Sequence, residues 1–397
     1  MIPSPLTVAW CSFFPVEWLP DVPAEVRALP RAHPAPWQRV LLGELEKRRD
    51  LRLHILVLRK QFPRSFSFER NGVTFHLLKT RGGCRAPSLF WLDTVLIRRA
   101  LKLVKPDVLH AWGTEQGAAL VAARLKLPHV VTLQGLYSWC RELGLANWHE
   151  QLGAWVERRV LPRAPLITAE STFSASYARR HFAPAPVEQI DHVPDWLFHR
   201  VERVPRLSPV RLLFVGRFEA RKGADLLLQA LDRLAPELAF DLVMVGAPRE
   251  PLHRTLRGSL SPELWSRVVF KDRITSEEVM QELAQATFLV CPTRMDTGPV
   301  SVKEAVVAGV PVVASAVGGI PDYVVPGENG VLFDSGDLEG CIQAIRGACR
   351  HPLFGRGQVR AETLERKRQQ LSPATMARQF REAYQRVWRQ SAKGSPA

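Results

Sequence analysis

Two carboxylates flank the predicted start of a helix that follows a buried strand. The apolar run 288–291 is typical of a strand covered on both faces of a sheet, and Pro292 ends it. Asp296 lies in the loop that follows, and Glu304 lies about one turn inside a helix predicted to continue to Ala308. Open α/β sheets bind ligands at the carboxyl ends of their strands, so both acids are candidate site residues. From spacing alone, two other roles stay open: Asp296 capping a turn, and Glu304 pairing with a neighbouring lysine.

The residues between the two acids predict an anion site at the helix start. Gly298 and Pro299 open the helix, and proline suits its first position because no N–H is needed there. The N–H groups of Val300 and Ser301 are then expected to point out of the helix toward the strand end. The helix dipole adds about half a positive charge there, so this arrangement favours a phosphate group.

A second strand end carries two cations. The segment 210–215 predicts a strand, and the loop 216–223 reads GRFEARKG before a predicted helix over 224–234. Gly216 allows the backbone to turn tightly beside a ligand. Arg217 and Lys222 are placed to neutralise the charge of a leaving diphosphate. For this loop alone, ordinary surface ion pairs would be the simpler explanation.

In combination, these motifs resemble those of the retaining glycosyltransferases of family 4, which use nucleotide-sugar donors and have the GT-B fold. The shared features are GR…KG at 216–223, two acids separated by seven residues at 296–304, and GG-x-P at 318–321. Any one of them alone would be a weak signal. The resemblance is strong over 210–333 and weak in the first half of the chain.

The resemblance implies roles for several residues of the second half. Glu304 would hold the donor ribose, and Asp296 would lie by the transferred sugar. Arg217 and Lys222 would bind the donor diphosphate, together with the helix start at 298–301. Most members have glutamate where Asp296 stands, so the shorter side chain departs from the family pattern.

Other implied contacts are less specific. Backbone groups near Arg273 and Ile274 would contact the base of the donor. In the first half, His110 ends a segment similar to the family's PDVVH element and is a candidate substrate contact, although a lone histidine is more often structural. Gln134 and Gly135 follow a predicted strand where many members have histidine at the first position. Glutamine can donate a hydrogen bond but cannot take up a proton near neutral pH, so Gln134 would orient the sugar.

The composition is that of a globular protein with excess positive charge. The 397 residues are 46% hydrophobic and 23% charged, and the net charge at pH 7 is +15. Such a charge favours acidic partners, but without a nucleic-acid-binding signature we expect no nucleic acid among them. The six cysteines form no CxxC or Cys/His cluster, which predicts neither zinc nor disulfides and suits a reduced, cytoplasmic setting. The N-terminus has no basic segment before an apolar run, so we expect no signal peptide.

A predicted helix over 89–104 carries four cations near its end, Arg98, Arg99, Lys102 and Lys105. Cations are favourable at a helix C-terminus, and simple solvation explains them. Peripheral contact with an anionic membrane at its inner, cytoplasmic face is the alternative.

The sequence thus predicts an α/β protein with two Rossmann-like domains that face a deep cleft, as in GT-B enzymes. We predict an acceptor domain over 1–204, a donor domain over 205–374 and a C-terminal helix over 375–397 that crosses back to the first domain. The resemblance implies a retaining, metal-independent hexosyltransferase without a cofactor. It would move a sugar from a nucleotide diphosphate to a saccharide or lipid-linked acceptor, in the synthesis of cell-surface polysaccharide or glycoconjugate. A non-catalytic nucleotide-sugar-binding or assembly protein is the alternative.

Overall fold

The chain folds into two compact units. The structure is a computed structural model and describes residues 5–31, 33, 35–83, 85–272 and 274–394, with only the backbone of 393 and 394. One unit comprises Met1–Asp191 together with Pro373–Ala397, and the other comprises His192–Ser372. The first boundary therefore lies after Asp191, before the predicted one between residues 204 and 205. The reason is that residues 195–199 pack within the second unit.

The first unit is a mainly parallel sheet with helices on both faces. In the described part of the chain, the strand order is β3-β4-β2-β1-β5-β6-β7-β8. The strands are β1 (Leu6–Cys11), β2 (Leu51–Arg59), β3 (Phe66–Arg70), β4 (Val73–Lys79), β5 (Val108–Trp112), β6 (His129–Thr132), β7 (Leu166–Ala169) and β8 (Val187–Gln189). The helices are α1 (Ala24–Arg27), α2 (Pro36–Leu45), α3 (Trp91–Val104), α4 (Ala118–Leu125), α5 (Tyr137–Glu142), α6 (Trp148–Val160) and α7 (Thr172–His181).

The local sequence explains why this sheet is mainly parallel. Strands β5, β6 and β7 are buried along their whole length, as expected where helices cover both faces. Strand β3 is antiparallel to β4 because the pair forms a hairpin around Asn71 and Gly72, both in the left-handed region. We did not predict β3, although an Asn-Gly pair between alternating residues is a strong hairpin signal.

The second unit is a parallel sheet with the strand order β11-β10-β9-β12-β13-β14. Its strands are β9 (Val210–Val215), β10 (Phe240–Val245), β11 (Val268–Lys271), β12 (Phe288–Cys291), β13 (Val312–Ser315) and β14 (Gly330–Phe333). Its helices are α8 (Trp196–His199), α9 (Ala224–Leu234), α10 (Leu252–Ser259), α11 (Pro262–Ser266), α12 (Ser276–Gln285), α13 (Val300–Ala308), α14 (Leu338–Arg350) and α15 (Ala361–Gln370). An apolar core of α9, α14 and the sheet holds these elements together.

The last helix, α16 (Pro373–Gly394), belongs to the first unit although it follows the second in the chain. It packs against α2, β5 and β6. Its Arg381 and Arg386 form ion pairs with Asp50 and Glu188 at 2.5 Å. Over the residues that the structure describes, none of the helices is long and apolar enough to span a bilayer.

One local prediction was wrong at a helix start. Pro299 is the N-cap of α13 with an extended backbone, so the helix begins one residue later than predicted. Helix α12 is capped by Thr275, whose hydroxyl accepts from the N–H of Glu278, while the Glu278 carboxylate accepts from the N–H of Thr275. Gly144 adopts a left-handed backbone between α5 and α6 and separates the two helices.

Candidate functional site

The loops after β9, β10 and β12 approach one another closely in the second unit. Gly223 has a left-handed backbone, and a Cβ there would lie 1.9 Å from the carbonyl oxygen of Pro292. Gly246 ends β10, and a Cβ there would lie 2.1 Å from the carbonyl oxygen of Gly216. Only glycine permits these two contacts. The predicted loops therefore lie side by side at the carboxyl edge of the sheet.

Lys222 and Asp296 form an ion pair across this edge. Lys222 ends a short 3-10 turn after β9, and Asp296 lies in the loop after β12. One oxygen of Asp296 accepts from Lys222, and the other accepts from the N–H of Gly298 at 3.2 Å. The structure thus brings together three of the residues that the sequence predicted as site residues.

An arginine fastens the same two loops to each other. Arg294 makes a two-pronged ion pair with Asp225, with distances of 2.7 and 2.9 Å. Its N–H also donates to the carbonyl of Arg221 at 2.8 Å, and the Thr293 hydroxyl donates to the same carbonyl at 3.1 Å. Bidentate arginine–carboxylate pairs fix geometry as well as supply energy. This contact holds Lys222 opposite Asp296, and sequence analysis missed it because its partners lie 69 residues apart.

Helix α13 starts at this edge with free donors. Val300 and Ser301 precede the first intrahelical bonds, which run from Val302 and Lys303 to the carbonyl of Pro299. Among the described residues, neither of the first two N–H groups has a protein partner. They are the orphan donors of a helix start, and the dipole favours an anion next to them. Lys222, from the loop after β9, and the N–H of Gly298, from the loop after β12, meet at Asp296 beside this helix start.

Glu304 lies one turn into α13 without a cation beside it. Among the described residues, it forms no ion pair, so the lysine-pairing alternative is not seen. The adjacent Lys303 is buried and turns to the ring of Tyr323, 4.9 Å from its centre. Burial raises the pKa of the Glu304 carboxyl to about 8, and the negative charge of Asp195 adds to the shift. Perturbed carboxyls of this kind are typical of functional sites, though not limited to them.

Asp195 is a residue near Glu304 that was not predicted from the sequence. It is exposed and caps α8, where its side chain accepts from the N–H of Leu197 at 2.9 Å. Helix α8 packs against α13, which brings the Asp195 charge to Glu304. An aspartate before a short helix is an N-cap signal, but nothing in the sequence shows that this helix packs on α13.

The remaining predicted donor residues are less tightly placed. The Arg217 side chain is 53% exposed and lies 3.2 Å from Glu219, which also pairs with Arg221 at 3.3 Å. Arg217 follows β9 directly but has no described contact with Lys222 or Asp296. Ile274 follows β11, two strands from β9 on the same edge. Arg273 lies outside the described residues.

In the first unit, His110 is fully buried and is not available to a substrate. Its Nδ1 lies 2.8 Å from the hydroxyl of Tyr384, and its Nε2 lies 2.6 Å from that of Thr132. The prediction of a substrate contact is therefore corrected to a structural role. Strand β5 is buried on both faces, and His110 faces the side covered by α16.

Gln134 and Gly135 follow β6 at the carboxyl edge of the first sheet, as predicted. The side-chain oxygen of Gln134 accepts from Gln38 at 3.2 Å, and Gln38 accepts from the Ser12 hydroxyl at 2.6 Å. The structure also places Glu115 here, where burial raises its carboxyl pKa to about 7, aided by nearby Glu157 and Glu170. Sequence analysis missed Glu115, although a polar residue just after a buried strand is a usable signal.

The fold and this edge define a class of protein, and comparisons with known proteins agree. Residues 39–196 match the glycosyl transferase 4-like domain, and residues 209–351 match the glycosyl transferases group 1 domain. The chain belongs to the group 1 glycosyltransferases, which have the GT-B fold, and it is a glycosyltransferase; family 4 is consistent with both matches. The predicted fold class is confirmed.

Two relatives illustrate the range of the family. The chain is 26% identical over 305 residues to the alpha-maltose-1-phosphate synthase of Mycolicibacterium smegmatis, which covers 70% of this chain and 78% of the relative. It is 27% identical over 294 residues to a glycogen synthase of Mycobacterium tuberculosis, which covers 67% of each.

Solved structures share the fold at low identity. A sucrose-phosphate synthase from Thermosynechococcus elongatus matches with a TM-score of 0.79 and 19% identity, covering 96% of this chain and 99% of that one. HepE from Anabaena, in complex with UDP-glucose, matches with a TM-score of 0.67 and 14% identity, covering 95% and 99%.

Proposed function

We propose that the second unit binds a nucleotide diphosphate sugar and that the chain transfers the sugar with retention of configuration. The observation that carries this proposal is the convergence of Lys222, Asp296 and the start of α13 at one sheet edge. Glu304 stands one turn further along the same helix. A diphosphate at the helix start would thus contact the cation of Lys222, and the adjoining ribose would contact the carboxyl of Glu304.

The reaction needs stabilisation of the leaving group. The glycosidic C–O bond of the donor breaks, and negative charge develops on the departing diphosphate. Lys222, Arg217 and the N–H groups of Val300 and Ser301 would stabilise this charge. By the family resemblance, the acceptor proton passes to the leaving phosphate, so no protein base is assigned.

In the free chain, Asp296 forms an ion pair with the ammonium of Lys222. A bound diphosphate would compete for the same ammonium, and Asp296 would then turn toward the transferred sugar. This exchange replaces one ion pair with another, so it needs little reorganisation. The ion pair therefore holds Lys222 in place before the donor arrives.

Removal of Lys222 tests the proposal. Loss of a charged contact of this kind costs about 3–4 kcal/mol of barrier, so Lys222→Ala should lose at least about a hundredfold in kcat. Arg221→Ala is a matched control, because Arg221 is the neighbouring cation and its side chain pairs with Glu219 at 3.3 Å, away from Asp296 in the ion pairs of the described residues. Near-full turnover by Lys222→Ala, with the unfolding midpoint unchanged, would refute the site.

The donor and the alternative function are tested together. A panel of nucleotide sugars is titrated by calorimetry, and release of the nucleoside diphosphate is followed in parallel. Binding with release supports a transferase, whereas binding without release under any acceptor tested supports the non-catalytic binder. Product anomers resolved by NMR report whether configuration is retained.

The same proposal has three further parts. The reaction needs no metal ion, and the acceptor is a saccharide or is lipid-linked. The product belongs to cell-surface polysaccharide or glycoconjugate synthesis at the inner face of a membrane. The cation and helix start would supply the charge that a metal ion supplies elsewhere. Turnover should therefore persist in EDTA. A loss of turnover in EDTA that Mg²⁺ or Mn²⁺ restores would contradict this part.

A further inference from the structure

Helix α3 exposes large apolar side chains on its outer face. Trp91 is 54% exposed, Leu92 and Val95 are each 42% exposed, and Leu103 is 87% exposed. Single exposed apolar residues are normal, but Trp91, Leu92 and Val95 are neighbours at helical spacing and form a patch at the start of α3. We call the four exposed apolar residues, together with Arg98, Arg99, Lys102 and Lys105, the α3 surface.

The opposite side of the helix is firmly packed. Asp93, Thr94, Ile97 and Leu101 are buried against the first unit, and successive residues of a helix turn by about 100°. Trp91, Val95, Arg98 and Lys102 then project within about 60° of one another, away from the buried side. The apolar residues are thus an outer face and not a misjudged part of the core.

The same face is cationic toward its C-terminal end. Arg98, Arg99, Lys102 and Lys105 are all exposed. The single acidic residue of α3 is Asp93, which is buried and pairs with Arg85 at 2.8 Å. No exposed carboxylate on α3 therefore balances the four cations. A partner that complements the α3 surface would therefore carry negative charge opposite the four cations. It would also offer an apolar layer to Trp91, Leu92 and Val95.

We propose that the α3 surface binds the face of an anionic lipid bilayer. Trp91, Leu92 and Val95 would enter the boundary between headgroups and acyl chains, where tryptophan is enriched. The cations would bind lipid headgroups while their stems cover apolar surface. The proposal rests on the membrane setting named in the proposed function and assigns it a surface of the first unit, while it needs no property of the donor edge in the second unit.

A neighbouring exposed group supports a lipid surface over a single protein partner. The corner between α5 and α6 exposes Leu145, Trp148 and Trp155, with Arg158 and Arg159 beside them. Helix α4 packs against both α3 and α6, so these helices share one layer of the first unit. The layer thus carries a second group of exposed tryptophans with arginines beside them, of which Arg158 lies 3.6 Å from Glu142.

The test is cosedimentation with vesicles of phosphatidylcholine, with and without phosphatidylglycerol, at low and high salt. The wild-type chain should bind the anionic vesicles and lose binding as salt increases. Each cation near an anionic surface contributes about fivefold, so R98Q/R99Q/K102Q should lower the partition coefficient about a hundredfold. W91S/L92S/V95S should lower it at least about tenfold at unchanged charge.

Charge-matched and fold controls keep the test decisive. R249Q/R254Q/R257Q removes three exposed cations from the second unit and should change binding by less than about fivefold. Unfolding midpoints and UDP affinity of all variants should match those of the wild type. The proposal is overturned if the wild type does not bind anionic vesicles. It is also overturned if R249Q/R254Q/R257Q lowers binding as much as R98Q/R99Q/K102Q.

Discussion

The Asp296 carboxylate uses both of its oxygens in contacts at the donor edge. It accepts from both Lys222 and the N–H of Gly298, so its short side chain links the cation to the loop that precedes α13. The departure from glutamate at this position is therefore accommodated by a local ion pair. The same pair also places a negative charge close to where the diphosphate would bind.

Asp296→Asn should separate donor binding from turnover. Removing the charge frees Lys222 for the diphosphate, so UDP affinity should rise by about two- to fivefold, which is the range of a partly exposed ion pair. Turnover should fall, because the family resemblance places this carboxylate by the transferred sugar. Calorimetry with UDP and steady-state kinetics measure the two effects. Weaker UDP binding by the variant would show that Asp296 does not compete for Lys222.

Glu304 gives the site a pH dependence. Its carboxyl has a pKa raised to about 8 by burial and by Asp195, so near neutral pH it is mostly protonated. If the carboxylate accepts hydrogen bonds from the ribose, UDP affinity should rise about tenfold between about pH 7 and 9, because the ionised fraction rises by that factor. The UDP phosphate, with a pKa of roughly 6, stays ionised throughout.

Asp195→Asn provides the matched variant for this pH profile. It removes the charge that adds to the shift and preserves a side-chain oxygen for capping α8, so the rise in affinity should move to lower pH. Glu304→Gln should give a flat profile. Without nucleotide, the proton is bound more tightly in the folded state, so the free energy of unfolding should fall as pH rises from the ordinary glutamate value toward about 8. An unshifted pH profile in Asp195→Asn would mean that the charge of Asp195 does not affect the pKa of Glu304.

Glycine geometry at the strand ends decides whether the donor loops can meet. A substitution at Gly223 would have both a left-handed backbone and a contact of 1.9 Å with Pro292 to resolve. Gly327 also has a left-handed backbone, but nothing lies within 4 Å of a Cβ there. A substitution at Gly327 therefore tests backbone strain alone, whereas one at Gly223 tests backbone strain together with the contact between the loops.

Gly327→Ala should destabilise the chain by about 1 kcal/mol, the cost of a left-handed alanine, without changing UDP affinity. Gly223→Ala should cost more, because the loops after β9 and β12 must also move apart, and UDP affinity should fall at least about tenfold. Urea denaturation and calorimetry give both values. Equal effects of the two substitutions would mean that the contact of Gly223 with Pro292 does not position Lys222.

Secondary structure and the donor motifs were largely predictable because they are local. Strand β9 and helix α9 have the predicted bounds, since a buried apolar run and flanking glycines mark them. Contacts between distant segments were not predictable. The Arg294–Asp225 pair and the packing of α8 on α13 depend on how loops meet after folding, and no local pattern encodes them. His110 was misjudged for the same reason, because its partner Tyr384 comes from the far end of the chain.

The first unit is completed by both ends of the chain. Helix α16 returns after the second unit and places Tyr384 and Phe380 against Trp10, His110 and Trp112. The Tyr384 hydroxyl accepts from Trp10 at 3.1 Å and can donate to Nδ1 of His110 at 2.8 Å. His110 continues the network to Thr132, whose hydroxyl lies 2.5 Å from that of Thr168. This buried network ties α16 to four neighbouring strands, β1, β5, β6 and β7.

Tyr384→Phe should therefore destabilise the first unit and leave the donor edge intact. The substitution keeps the ring but withdraws the hydroxyl from two buried groups, and each unsatisfied group costs about 1–3 kcal/mol. We expect a loss of about 3 kcal/mol in the free energy of unfolding, with UDP affinity unchanged because its site lies in the other unit. Tyr177→Phe is the matched control, since it removes one partly exposed bond to Glu142 and should cost about 1 kcal/mol or less. A Tyr384→Phe protein as stable as Tyr177→Phe would mean that apolar packing alone holds α16 in place.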